Sequence, residues 1–153
     1  MNFAAASGLS PYLPNLLEVS VSTTKTRINK IGAVCIPVSD QDKMLDFYVG
    51  TLGFEKRADV PFGGGYRWIE VAPEGADTTI ALAPPPEGTP TGGMETGITL
   101  QVHDIEAQHA ELKEAGADVD EEVSRMGDPV PPIVWFRDPE QNVLMIVEVP
   151  RDS

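Results

Sequence analysis

Apolar and polar residues alternate along most of this chain, and the alternation is broken twice by a short stretch of helical spacing. Residues 34–56 read VCIPVSDQDKMLDFYVGTLGFEK and residues 98–120 read ITLQVHDIEAQHAELKEAGADVD. Each copy opens as a half-buried strand, with side chains alternating between two faces. Each strand ends at an aspartate, Asp40 or Asp104, and a short helix follows. An aspartate there accepts hydrogen bonds from the free N–H groups of the first helical turn. Met44, Leu45, Tyr48 and Leu52 recur at helical spacing in the first copy; Ile105, His109, Leu112 and Gly116 do so in the second. His109 on that stripe reads as a packed, satisfied side chain. Gly53 and Gly116 stand where a left-handed residue closes a helix.

After each helix come three strand signals. In the first copy they cover residues 54–60, 66–72 and 78–83, separated by the turns PFGGG and PEGAD. In the second they cover 117–123, 133–137 and 142–149, separated by RMGDPVPP and DPEQ. The repeat therefore predicts an α+β fold of two βαβββ modules. Module one spans residues 30–83, a Pro/Gly-rich linker 84–94, and module two 95–149, with residues 1–29 as an N-terminal extension. A four-stranded sheet with one helix leaves its second face bare. Two such faces can curl as a mixed sheet around a central cleft.

Composition narrows the partners. The 153 residues carry 11 Lys and Arg against 24 Asp and Glu, a formal charge of −13. That field repels phosphate, so neither nucleic acid nor an anionic membrane is an expected partner, whereas a cationic ligand is attracted. The single cysteine, Cys35, excludes an intramolecular disulfide. No apolar run reaches membrane-spanning length, and the start carries Pro11 and Pro14 with no preceding basic residue, which makes a poor secretory signal. A cytoplasmic location is expected.

Two stretches carry a family resemblance: Val38-Ser39-Asp40, Phe47-Tyr48 and Leu52-Gly53-Phe54 at the start, and Asp138-Pro139-Glu140-Gln141-Asn142 at the end. Together they resemble the vicinal-oxygen-chelate superfamily, which includes glyoxalases, extradiol dioxygenases and bleomycin-resistance proteins. Gln141 departs from the glycine usual there and suggests a different turn. The resemblance implies a divalent metal held by His, Glu or Gln on the first and last strands of each module. Here those positions hold Ala33, Ala81 and Met145, with Gly97, or Glu95 if the strand starts earlier, at the fourth. Alanine and methionine are not ligands for Zn²⁺, Ni²⁺, Mn²⁺ or Fe²⁺, so no metal residues and no cofactor are expected.

Strand parity then suggests what faces the cleft. Cys35 and Pro37 share the face of Ala33. Glu95, Thr99, Gln101 and His103 share that of Gly97, and Val143 and Val147 that of Met145. Ile133, Trp135 and Arg137 face inward by count from Asp138, and Trp68 is the candidate counterpart in module one. The ligand-binding candidates are Cys35, Trp68, Glu95, Gln101, Arg125, Trp135 and Met145. Tryptophan stacks on flat or cationic ligands and methionine lines adaptable pockets. Cys35, with no base identifiable nearby, reads as an inert packing residue. Catalytic candidates are limited to Glu95 and His103. The expected function is binding of a small organic molecule, with sequestration of a toxin or antibiotic as the concrete form and a homodimer implied by the resemblance. The alternative is a lyase, isomerase or dioxygenase of the same superfamily with a divergent or metal-independent site.

Overall fold

A computed structural model describes residues 25–152, and from Ile31 onward they form one compact unit. The extension expected over residues 1–29 lies almost wholly outside the described residues. Module one runs β1 (Ala33–Pro37), α1 (Gln41–Leu45), a π-helical segment (Asp46–Thr51), β2 (Glu55–Gly63), β3 (Tyr66–Ala72) and β4 (Thr79–Ala83). Module two runs β5 (Glu95–Val102), α2 (Ile105–Glu114), β6 (Asp118–Val119), β7 (Ile133–Arg137) and β8 (Val143–Glu148). The described residues form two four-stranded sheets, ordered β1-β4-β3-β2 and β5-β8-β7-β6. In each, the first strand pairs parallel with the last and the other pairings are antiparallel. The α+β fold of two βαβββ modules is thus the observed one, with the two sheets not closed into a single barrel.

The helix boundaries follow their caps. Asp40 accepts from Lys43 N–H and Asp104 from Ala107 N–H, each at 3.0 Å. Gly53 and Gly116 take φ of 76° and 77°, the left-handed closure a β-carbon disfavours. His109 is buried, with Nε2 2.7 Å from the Asp120 carbonyl oxygen.

Two elements differ from the periodicity. The first helix widens after one turn into a π-helix, with Leu52 N–H donating to Phe47 O. The wider turn lets the neighbours Phe47 and Tyr48 both point into the core, their rings edge-on at 5.4 Å. The strand expected over 117–123 shrinks to β6. Lys113 draws Glu121 aside at 2.6 Å, and pairing with β7 resumes only at the Ser124–Ile133 bridge.

One core joins the modules. Ile36, Ile69 and Val71 from the first sheet and Val134, Phe136, Leu144 and Ile146 from the second belong to one buried cluster with the helical Met44, Tyr48, Ile105 and Leu112. The hairpin Asp138–Asn142 clips the modules together. The buried Asp138 carboxylate accepts from Tyr48 O–H (3.0 Å) and from the backbone N–H groups of Glu140 and Asn142. Glu140 accepts from Ser39 and Asp40 N–H at about 3 Å, just ahead of α1. Burial, then the Asp138 charge and its hydrogen bond, raise the Tyr48 phenol far above its ordinary value.

Candidate functional site

The helix-bearing face of each sheet supplies the core; on the opposite faces, among the described residues, Cys35, Glu95, Thr99 and Gln101 are exposed and Trp68, Glu70, Trp135 and Met145 half-buried, while Ala81 and Thr79 are buried. Strand register fixes what stands on them. In the first sheet Cys35 pairs with Ala81, and Ala81 with Glu70. In the second, Thr99 pairs with Met145, and Met145 with Trp135. Cys35 and Thr99 each lie five residues before the capping aspartate, so these two rows are equivalent stations of the repeat. The counterpart of Trp135 is therefore Glu70. Trp68, next along the same face, corresponds to Ile133.

Glu70 was absent from the sequence candidates, although it shares the period-two parity of Trp68 in the strand YRWIEVA. Trp68 Nε1–H donates to Glu70 Oε2 and Thr79 Oγ–H to Oε1, both at 2.6 Å. These donors, Thr79 first and Trp68 second, hold the Glu70 carboxyl below its ordinary range against the opposing effect of burial. Around it the sheet floor is low: Cys35 and Ala81 on one side and Ala58, the β2 partner of Glu70, on the other. Cys35 is a free, exposed thiol on this face.

The wall beyond Trp68 belongs to the β2–β3 hairpin. Phe62 lies 5.6 Å from Trp68, ring to ring, and Val60, Phe62 and Tyr66 are all exposed. Gly63, Gly64 and Gly65 all take positive φ at the tip, which a side chain there would strain. The hairpin is tied down by Arg67, which meets Asp59 at 2.9 Å and Asp42 at 2.7 Å. Arg67 and Lys56 pull the Asp59 carboxyl down to about 2.

The other sequence candidates divide. Glu95 opens β5 opposite Val143, so the strand does start at the earlier position, and Gln101 pairs with Val147. Both share that opposite face of the second sheet with Met145 and Trp135. His103 lies past the end of β5, its Nδ1 3.1 Å from Val149 O. Arg125 is engaged elsewhere: its guanidinium pairs with Glu106 in the first turn of α2. Ala33 pairs with Thr79 at the edge of the first sheet. Ala33, Ala81 and Met145 offer neither oxygen nor nitrogen. Among the described residues no group of three or more His, Cys, Asp or Glu is placed to hold a metal ion.

A groove of about 620 Å³ runs between the modules, lined by apolar side chains that include Val34, Phe54, Ile80, Ile98 and Leu100 and bordered by Thr79, Thr99 and Gln101. Of the sequence candidates it reaches only Gln101. It follows the free edge of β5, whose sole strand partner among the described residues is β8.

Comparison with known proteins agrees with this architecture. TnmS3, an antibiotic binding protein from Streptomyces sp. CB03234, is 37% identical, with a TM-score of 0.72 over 83% of this chain and all of that one. A superfamily member from Sphaerobacter thermophilus is also 37% identical, with a TM-score of 0.74 over 81% of this chain and all of that one. The Bacillus subtilis protein YetH is 31% identical over 121 residues, 79% of this chain and 99% of its own length. The family model described as Glyoxalase/Bleomycin resistance protein/Dioxygenase superfamily matches residues 30–146, and the chain belongs to that superfamily.

Proposed function

We propose that this protein binds a small, flat organic molecule between sheet faces, without a divalent metal and without converting it. The observation that carries the reading is the pair of faces bearing Trp68 and Trp135, on which the positions that would carry metal donors are Ala33, Ala81 and Met145. A half-exposed indole supplies a rigid stacking surface, and Met145 beside Trp135 adapts to ligand shape. A bare sheet face is only one wall of a pocket. The second wall is assigned to another copy of the chain, module one of one facing module two of the other in a homodimer. The exposed Val60, Phe62 and Tyr66 would be covered in that assembly. Kinship with an antibiotic binding protein supports sequestration of a toxin or antibiotic as the biological form of this binding. The unpaired Cys35 is in keeping with a cytoplasmic setting.

The test combines metal analysis with fluorescence. Protein purified and then offered Zn²⁺, Ni²⁺ or Mn²⁺ is expected to hold none at one-to-one stoichiometry. Flat aromatic compounds are expected to quench tryptophan emission and to be recovered unchanged by mass spectrometry. Trp135→Ala should weaken binding by about tenfold or more by calorimetry, in line with loss of a buried aromatic anchor. Ile98→Ala, in the inter-module groove, should leave binding unchanged. One equivalent of bound metal with turnover of a ligand would replace this reading with the enzymatic one.

A further inference from the structure

We propose that Glu70 selects the ligand: its carboxylate anchors a protonated amine or aromatic cation whose ring lies against the tryptophans. The inference rests on the binding reading above and assigns a chemical class to the occupant.

The two sheets share one strand order and are unlike in chemistry. At matching stations one carries Glu70 and the other Trp135. Sheets that face each other in the proposed pairing would set an anion against an indole. A flat cation satisfies both, since the carboxylate takes the charge and the ring stacks on the π-face.

Glu70 is built for this in three respects. First, it is fixed. Trp68 and Thr79 hold one oxygen each at 2.6 Å, so the group is ordered before any ligand arrives. Second, it is unspent. An ionised carboxylate has about four lone-pair positions, and the two protein donors fill half of them. No lysine, arginine or histidine pairs with it among the described residues, whereas Asp59, Asp42 and Asp120 are each matched by an arginine. Third, it is reachable. Glu70 is half-buried rather than enclosed, and its cross-strand neighbours are the small Ala81 and Ala58, with Trp68 the one bulky side chain against it. The hydrogen bond to Glu70 also pins the Trp68 indole by its N–H edge, and Phe62 packs tilted against its ring, so the half-exposed remainder of the indole is held in a fixed orientation. Charge and stacking surface are thereby locked to each other.

The chain as a whole is acidic, so a cation would be attracted in any case, and the test must separate Glu70 from that general field. Two dyes of one ring system serve as probes at pH 7: 9-aminoacridine, a flat cation, and acridone, its flat neutral analogue. Glu70→Gln removes the charge and keeps the shape. Its amide oxygen still accepts from Trp68, and its NH₂ donates to Thr79 Oγ. Glu111→Gln, on the exposed side of α2, removes the same charge from a remote site. Wild-type protein and Glu111→Gln are expected to bind 9-aminoacridine at least about tenfold more tightly than acridone, the worth of one charge-assisted hydrogen bond. Glu70→Gln is expected to lose that preference while holding acridone as before. A preference retained in Glu70→Gln, or lost equally in Glu111→Gln, overturns the inference and leaves the binding reading standing. Loss of both dyes by Glu70→Gln likewise overturns a charge-specific role. Failure of the wild type to bind either dye overturns the binding reading and this inference together.

Discussion

At the scale of the residue, Gln141 shows how a local rule survives a change of side chain. The sequence suggested a different turn where the family resemblance implies glycine. Gln141 takes the left-handed conformation that glycine favours, at φ 66°, with its N–H donating to Asp138 O at 2.8 Å. A side chain there costs about 1 kcal/mol, part of which glycine's extra freedom in the unfolded chain offsets. Gln141→Gly is expected to raise stability by ~0.5 kcal/mol, read as a shift in urea midpoint at constant slope. Glu70 teaches the converse. Its parity with Trp68 was legible in YRWIEVA, but parity alone leaves two faces to choose between. The choice was made by Ile69 and Val71, which the core claims, and by the pairing of Glu70 with Ala81.

At the scale of the element, the two motifs that carried the resemblance prove to be one contact. The first motif supplies Ser39, Asp40 and Tyr48; the second supplies Asp138 and Glu140. These residues lie about a hundred positions apart and meet across the module boundary, so they hold the fold rather than the ligand. Tyr48→Phe leaves the Asp138 carboxylate with one donor fewer and is expected to cost about 1.5–3 kcal/mol. The same pair predicts a pH dependence. The Tyr48 phenol is raised above its ordinary value of 10.0, so the folded state keeps a proton that the unfolded chain loses in alkali. Its contribution is fully present below pH 10 and declines as pH rises beyond it, by about 1.4 kcal/mol per pH unit. Denaturant titrations at increasing pH above 10 should show the wild type losing stability faster than Tyr48→Phe by that slope. The expectation fails if the two proteins run parallel.

At the scale of the whole molecule, the described chain has one filled core and two sheet faces outside it. Val60, Phe62 and Tyr66 stand 51%, 58% and 46% exposed on the hairpin beside Trp68. Leaving such side chains in water forgoes stabilisation of roughly 1.5–3 kcal/mol for each one that could be fully buried. A second copy that covers them recovers it. If the proposed homodimer forms, Phe62→Asp places a charge in its contact and is expected to shift the protein from dimer to monomer in light scattering. Retention of the helical circular-dichroism signal would show that the monomer is folded. A wild-type protein that is monomeric at high concentration would remove the second wall from the proposed site.

The sequence by itself determined the order of elements, the repeat and the superfamily, because those depend on period, caps and turns within a few residues of each other. It also set alanine and methionine, which do not ligate Zn²⁺, Ni²⁺, Mn²⁺ or Fe²⁺ in the usual way, at positions where the family resemblance implies metal ligands. Only the tertiary structure decided which face of each strand the core would take and which stations match across the repeat. It also decided that Arg125 is committed to Glu106 while Glu70, among the described residues, has no cationic partner. Those outcomes depend on register between strands distant in sequence, where a shift of one residue moves every side chain to the opposite face.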